Sequence, residues 1–151
     1  MDQATLKKYL DAYNRVNQFC RHNGMELEVL VPGHVKYHLT VKEEHLSSPS
    51  TAHWGILAAA MDATLGTSAL TFAFTSGQVC STVEFKINYL RPAKLADDLE
   101  AEAVLDYTGK RIVVTSGVIR RKADQDLVAK GMGTFNLYPL TKNPDFASVI
   151  N

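Results

Sequence analysis

The chain has 151 residues, enough for one domain with a core of its own, and its 16 Lys and Arg balance 16 Asp and Glu. Zero formal charge excludes a nucleic-acid binder that relies on neutralising phosphates. Two cysteines, Cys20 and Cys80, are too few for a disulfide framework and lack metal-ligand spacing.

Leu6, Tyr9, Leu10, Tyr13, Val16 and Cys20 recur at helical spacing and Asn23-Gly24 supplies a stop, so residues 3–23 are predicted as one amphipathic helix. Residues 1–8 hold no apolar run of the secretory type, which points to the cytoplasm and to reduced thiols. Residues 25–41 alternate and break at Pro32-Gly33, as one bent strand or a short pair. Residues 47–52 are a loop from which Ser50 or Thr51 is expected to cap the next helix, about 53–74. Four strands follow. The first covers 79–90, with Val83, Phe85, Ile87 and Tyr89 on one face, and Arg91-Pro92 ends it. The others span 98–106, 110–121 and 127–138, joined by turns at 107–110 and 123–126. Pro139 and Pro144 mark an extended tail. No repeat or linker interrupts this order, so 1–151 reads as a single domain: an N-terminal helix to 24, a core over 25–138 and a tail over 139–151.

The segment 54–74 is long enough to cross a bilayer. A central Asp62 costs about 2.5–3.5 kcal/mol there, and no Lys or Arg flanks the run, so a membrane span is rejected. The same Ala-rich segment is the one helix apolar enough to cover an antiparallel sheet. The predicted class is α+β, a sheet wrapped round one long central helix.

Asp62 is the informative residue. Between His45 and Glu84 lie 38 residues with no Lys, Arg or Glu and one Asp. A carboxylate in apolar surroundings costs several kcal/mol or loses its charge, which points to chemistry or to a pairing across a helix contact. Its helical neighbours Gly55, Ala58, Ala59, Gly66 and Ala69 are small, leaving room for a ligand or a second helix. His53 lies nine residues earlier, on the opposite face and about 13 Å away along the axis. One chain does not easily bring both to one site, whereas a two-fold pairing of helices sets His53 of one subunit near Asp62 of the other.

The run His53-Trp54-Gly55 followed by Asp62 and Gly66 resembles the central helix of hotdog-fold thioesterases, in their PaaI/THEM-like acyl-CoA branch. So do residues 83–99, a strand followed by an Arg91-Pro92-Ala93 turn, together with Gly109-Lys110-Arg111 and the strand 127–135. The likeness covers roughly residues 25–138. This chain departs from the pattern at Trp54, where the family has Gly, at Ser47, where it has Asn or Gln, and at Ala96 of the Ala96-Asp97 turn.

The resemblance implies a homodimer, or a dimer of dimers, that hydrolyses acyl-CoA without metal or redox cofactor. Asp62 is then the general base or nucleophile. His53, Trp54 and Gly55 at the helix start polarise the thioester carbonyl through backbone N–H groups, with the Trp54 indole free to narrow the acyl channel. Thr82 positions the water or nucleophile, and Ser47 is a weaker candidate for the same service. Coenzyme A contacts fall on Tyr89, Leu90, Arg91 and Lys94, on the turn Thr108, Gly109, Lys110 and Arg111, and on Asn136. As bare sequence those positions are solvated turn charges, as is Arg120-Arg121-Lys122. Leu57, Met61, Phe72 and Phe74 read as core or as acyl-pocket lining. Two other readings stand beside hydrolysis: a hotdog protein that binds acyl-CoA or regulates without turnover, and a hotdog dehydratase or hydratase.

Overall fold

A computed structural model describes residues 2–150; Met1 and Asn151, the predicted limits of the domain, lie outside it. Six antiparallel strands form one sheet: β1 (Glu26–Val31), β2 (His34–Thr40), β3 (Gln78–Tyr89), β4 (Asp98–Thr108), β5 (Ile112–Arg121) and β6 (Leu127–Pro139), in the order β1-β2-β4-β5-β6-β3. The sheet wraps round a 21-residue helix, Trp54–Phe74, which is α3 in chain order after α1 (Gln3–Val16) and α2 (Gln18–His22). This is the hotdog fold. The strand pair of 25–41 is real, and it folds back at Gly33, whose φ of +89° suits glycine.

Apolar side chains surround α3, as expected of a helix buried in a core. Leu57, Met61, Leu65 and Phe74 are fully buried and Phe72 is half-buried, so the positions read as core or acyl-pocket lining are core. The helix is long and apolar enough to cross a membrane, yet 67% of its most apolar window lies inside the domain. It sits close on the sheet because Gly117 of β5 and Gly131 of β6 are cross-strand partners beneath it. A Cβ at Gly117 would fall 2.7 Å from the Glu102 carbonyl oxygen and 3.3 Å from Leu65, and one at Gly131 3.0 Å from Met61.

Four expectations need correction. The N-terminal helix is two helices, broken at Asn17, whose side chain caps α2 by accepting the Cys20 N–H. Neither Ser50 nor Thr51 caps α3: Thr51 bridges to Lys94 and Ala52 to Leu46, so His53 is left as the cap. Val83 does not share a face with Phe85 and Ile87, because a bulge between Thr82 and Glu84 shifts the register and leaves Val83 58% exposed. The tail is not extended. After a 3-10 turn, α4 (Pro144–Ile150) starts at Pro144, is capped by Asn143 through the Phe146 N–H, and stacks Phe146 on Phe74 at 5.8 Å.

Candidate active site

The bulge in β3 aims Thr82 at the middle of α3. The Thr82 hydroxyl donates to Asp62 Oδ1 at 3.2 Å, and no cation pairs with this carboxylate among the described residues. Asp62 is half-buried. Loss of hydration pushes its pKa above the ordinary 3.8, and the Thr82 bond pulls the other way. The small residues Ala59, Ala63 and Gly66 leave a cleft of about 500 Å3 beside the carboxylate.

Cys80 also lines this cleft, with its thiol directed at the Gly66 carbonyl, 3.6 Å away. Burial, reinforced by the Asp62 charge, pushes that thiol up to about 12, so it is not a thiolate nucleophile at neutral pH. The other two walls are Phe135 of β6 and a set from the N-terminal helices: Tyr13, Asn17, Phe19 and Cys20. The sequence pattern gave α1 an inward face but not this role, which depends on the break at Asn17.

At its N-terminus α3 departs from the expected oxyanion hole. The Gly55 N–H is taken by His53 Nδ1 at 2.7 Å, a contact so close that a Cβ at Gly55 would lie 2.6 Å from that nitrogen. An accepting Nδ1 puts the proton of the neutral imidazole on Nε2, so the exposed ring offers a side-chain donor in place of the backbone one. The Trp54 indole packs on Tyr89 with ring centroids 4.9 Å apart, and the Tyr89 hydroxyl donates to the Trp54 carbonyl at 3.1 Å. Tyr89 is thus committed to holding Trp54. Ser47 lies in the preceding loop, its N–H bonded to the Thr51 carbonyl, and does not line the Asp62 cleft.

The candidate coenzyme A positions separate into two groups. Tyr89, Leu90, Arg91 and Lys94 stand at the α3 N-terminus: Tyr89 pairs with Ala129 of β6, and Lys94 pairs with Thr51. Asn136 of β6 lies between Ser81 and Ile112, next to the turn that carries Thr108, Gly109, Lys110 and Arg111. Ala129 and Asn136 are seven residues apart on one strand, about 23 Å. Arg91 is partly spent on Asp126, at 3.5 Å, and on the Leu127 carbonyl, at 3.1 Å. Arg121 of the basic run is a structural knot, paired with Asp97 and Asp124. Lys94, Lys110 and Arg111 are exposed and make no ion pair among the described residues.

The protomer therefore carries two half-sites. One joins His53, Trp54, Gly55 and Lys94 at the start of α3, and the other joins Asp62 and Thr82 at its middle; Asn136, next to Phe135 on β6, alternates to the other face of the sheet and does not line the cleft. No group of three or more His, Cys, Asp or Glu suited to a metal ion is present among the described residues.

Residues 50–128 match the family model of the thioesterase superfamily. The chain is 31% identical over 134 residues to acyl-coenzyme A thioesterase 13 of Homo sapiens, covering 88% of this chain and 94% of that protein. Among solved structures it resembles the E. coli PaaI protein of the phenylacetic acid degradation operon, with a TM-score of 0.81, 20% identity, and coverage of 89% and 94%. It is also similar to a hypothetical thioesterase of Streptococcus pneumoniae TIGR4 solved with coenzyme A, with a TM-score of 0.71, 22% identity, and coverage of 89% and 97%. These two structural likenesses speak to the fold.

Proposed function

The chain belongs to the hotdog-fold thioesterase superfamily, and from that premise we propose that it hydrolyses acyl-CoA thioesters at a site shared between two subunits. The observation that carries the reading is the half-buried Asp62 carboxylate, held by Thr82 and facing an open cleft with no cationic partner among the described residues. Such a group costs stability and has no structural debt to settle.

In this reading Asp62 takes a proton from a water held by Thr82. The oxygen adds to the thioester carbon, the C–S bond breaks, and the CoA sulfur leaves with a proton. Direct attack by the carboxylate, with a mixed anhydride that water then opens, uses the same geometry. The oxyanion is met by His53 Nε2–H and the free N–H of Trp54 at the positive end of α3.

Two features support the shared site. β3 has a strand partner on one side only, so its other edge is open to pairing with a second copy. His53 and Asp62 lie nine residues apart on α3, on opposite faces and about 13 Å along its axis, and a two-fold operation sets His53 of one copy against Asp62 of the other. By the same reading the protein works in the cytoplasm, free of membrane and nucleic acid.

The test is thiol release from a panel of acyl-CoAs by the wild type and Asp62→Asn. Release that falls at least about 100-fold in the variant, near 2.7 kcal/mol of barrier, supports the reading. Release that survives the substitution sinks Asp62 as the base. The occupied Gly55 N–H favours a second reading, an acyl-CoA-binding protein without turnover. Saturable binding with no release from any thioester would select it.

A further inference from the structure

Resting on the acyl-CoA reading above, we propose that the N-terminal helix pair sets acyl-chain length, with Phe19 and Tyr13 as the stop at the far end of the Asp62 cleft. The cleft does not end at the carboxylate. It follows α3 past Gly66 to Leu70, eight residues and about 12 Å beyond Asp62. Its floor at Gly66 is Phe135, and a Cβ there would come within 3.3 Å of that ring, so the glycine keeps the passage open. Leu70, Phe135 and Phe19 give the passage apolar walls.

The far wall is built by the break in the N-terminal helix. Asn17 accepts the Cys20 N–H with its oxygen and donates from Nδ2 to the Tyr13 hydroxyl at 2.9 Å. The Tyr13 hydroxyl lies 3.3 Å from the Thr67 hydroxyl, which ties the wall to α3 itself. One residue thus interrupts the helix, anchors Tyr13 and turns Phe19 into the cleft. This hydrogen-bonded bridge gives a methylene chain no further apolar surface, so burial ceases to reward length there.

Phe19 is the second, independent sign. It is 58% exposed although it lines the cleft, in a domain that buries its neighbour Cys20. The protein's own packing does not use that ring. An acyl chain running from Asp62 would cover it, and one lost or gained contact of this kind changes kcat/KM by roughly tenfold or more.

The experiment measures kcat/KM for straight-chain acyl-CoAs from acetyl to palmitoyl with the wild type, Phe19→Ala and Phe19→Trp. Binding of the matching non-hydrolysable thioether analogues is measured by calorimetry. Because Phe19 is exposed, neither variant threatens folding. Phe19→Ala is expected to raise kcat/KM for long chains about tenfold relative to acetyl-CoA, and Phe19→Trp to lower it by a similar factor. An identical chain-length profile in all three proteins, with turnover intact, overturns the stop and leaves hydrolysis standing. Analogue affinities that shift with chain length in the variants, without turnover in any protein, support the stop and overturn hydrolysis. Neither binding nor turnover of any acyl-CoA overturns both.

Discussion

The Thr82 hydroxyl and the Asp62 carboxylate are 3.2 Å apart, the one hydrogen bond this carboxylate receives from a side chain among the described residues. It opposes the loss of hydration that raises the Asp62 pKa. A base must be ionised to work, so kcat/KM should rise with pH through the Asp62 titration and fall away below it. Thr82→Val removes the bond that favours the ionised form, so the acidic limb of the profile should move to higher pH. Thr82→Ser, which keeps the hydroxyl, should leave it in place. A limb that does not move in Thr82→Val would assign the acidic titration to another group.

The same carboxylate should cost stability. Its folded-state pKa lies above 3.8, so the folded chain holds the proton more tightly than the unfolded chain does. That contribution is fully present below pH 3.8 and is lost as pH rises through the folded value. Asp62→Asn, which cannot ionise, should therefore melt at a higher temperature than the wild type at pH 7. The difference should vanish near pH 3.8, a trade of stability for activity. Thermal scans at the two pH values check it, and equal melting temperatures at pH 7 would mean that the cleft leaves Asp62 well hydrated.

What was legible in the sequence follows from where each signal resides. The length of the apolar, nearly charge-free run 54–74, hydrophobic on every face, specifies a buried helix, and alternation specifies the strands around it; both are local and both survive folding. Asp62 stood out because burying a charge is expensive wherever the chain folds. The break at Asn17 was hidden because the apolar period of α1 continues across it: Tyr13 and Cys20 keep helical spacing, while the Asn17 backbone leaves the helical region at ψ 74° and its side chain bonds to both. The bulge at Val83 was hidden for a related reason. Alternation is read in steps of two, and one inserted residue reverses every later face. The fate of the Gly55 N–H depended on a rotamer of His53, which no spacing encodes.

His53 has two separable duties, capping α3 through Nδ1 and presenting Nε2–H. His53→Asn keeps a good capping acceptor and removes the second donor. Stability should change by less than about 1 kcal/mol, whereas kcat should fall about 100-fold, the usual cost of one oxyanion donor. If the site is shared, mixing this variant with Asp62→Asn should restore activity. A mixed dimer carries one site with both lesions and one with neither, so random pairing should return about a quarter of wild-type activity. No recovery after subunit exchange would place His53 and Asp62 in separate sites.

Lys110 and Arg111 should matter more to coenzyme A than Arg91, although all three are exposed cations. Arg91 already lies near Asp126 and donates to the Leu127 carbonyl, so a phosphate would have to compete for it. Lys110 and Arg111 have no such partner among the described residues, and their turn runs beside Asn136 and Leu137 of β6, the strand whose Phe135 walls the Asp62 cleft. An exposed charge pair is worth up to about 1 kcal/mol, so Lys110→Ala and Arg111→Ala should each raise KM for acyl-CoA up to about fivefold. Neither touches the thioester, so kcat should stay within about twofold. Raising the salt should shrink the difference from wild type, because screening at about 1 M reaches down to roughly 3 Å. Arg91→Ala should instead show its effect in the melting temperature, through the loosened turn at 126–128. Steady-state kinetics at two ionic strengths beside thermal melts distinguish these outcomes, and a larger, salt-sensitive KM effect at Arg91 would move the phosphates to the Trp54 end of the protomer.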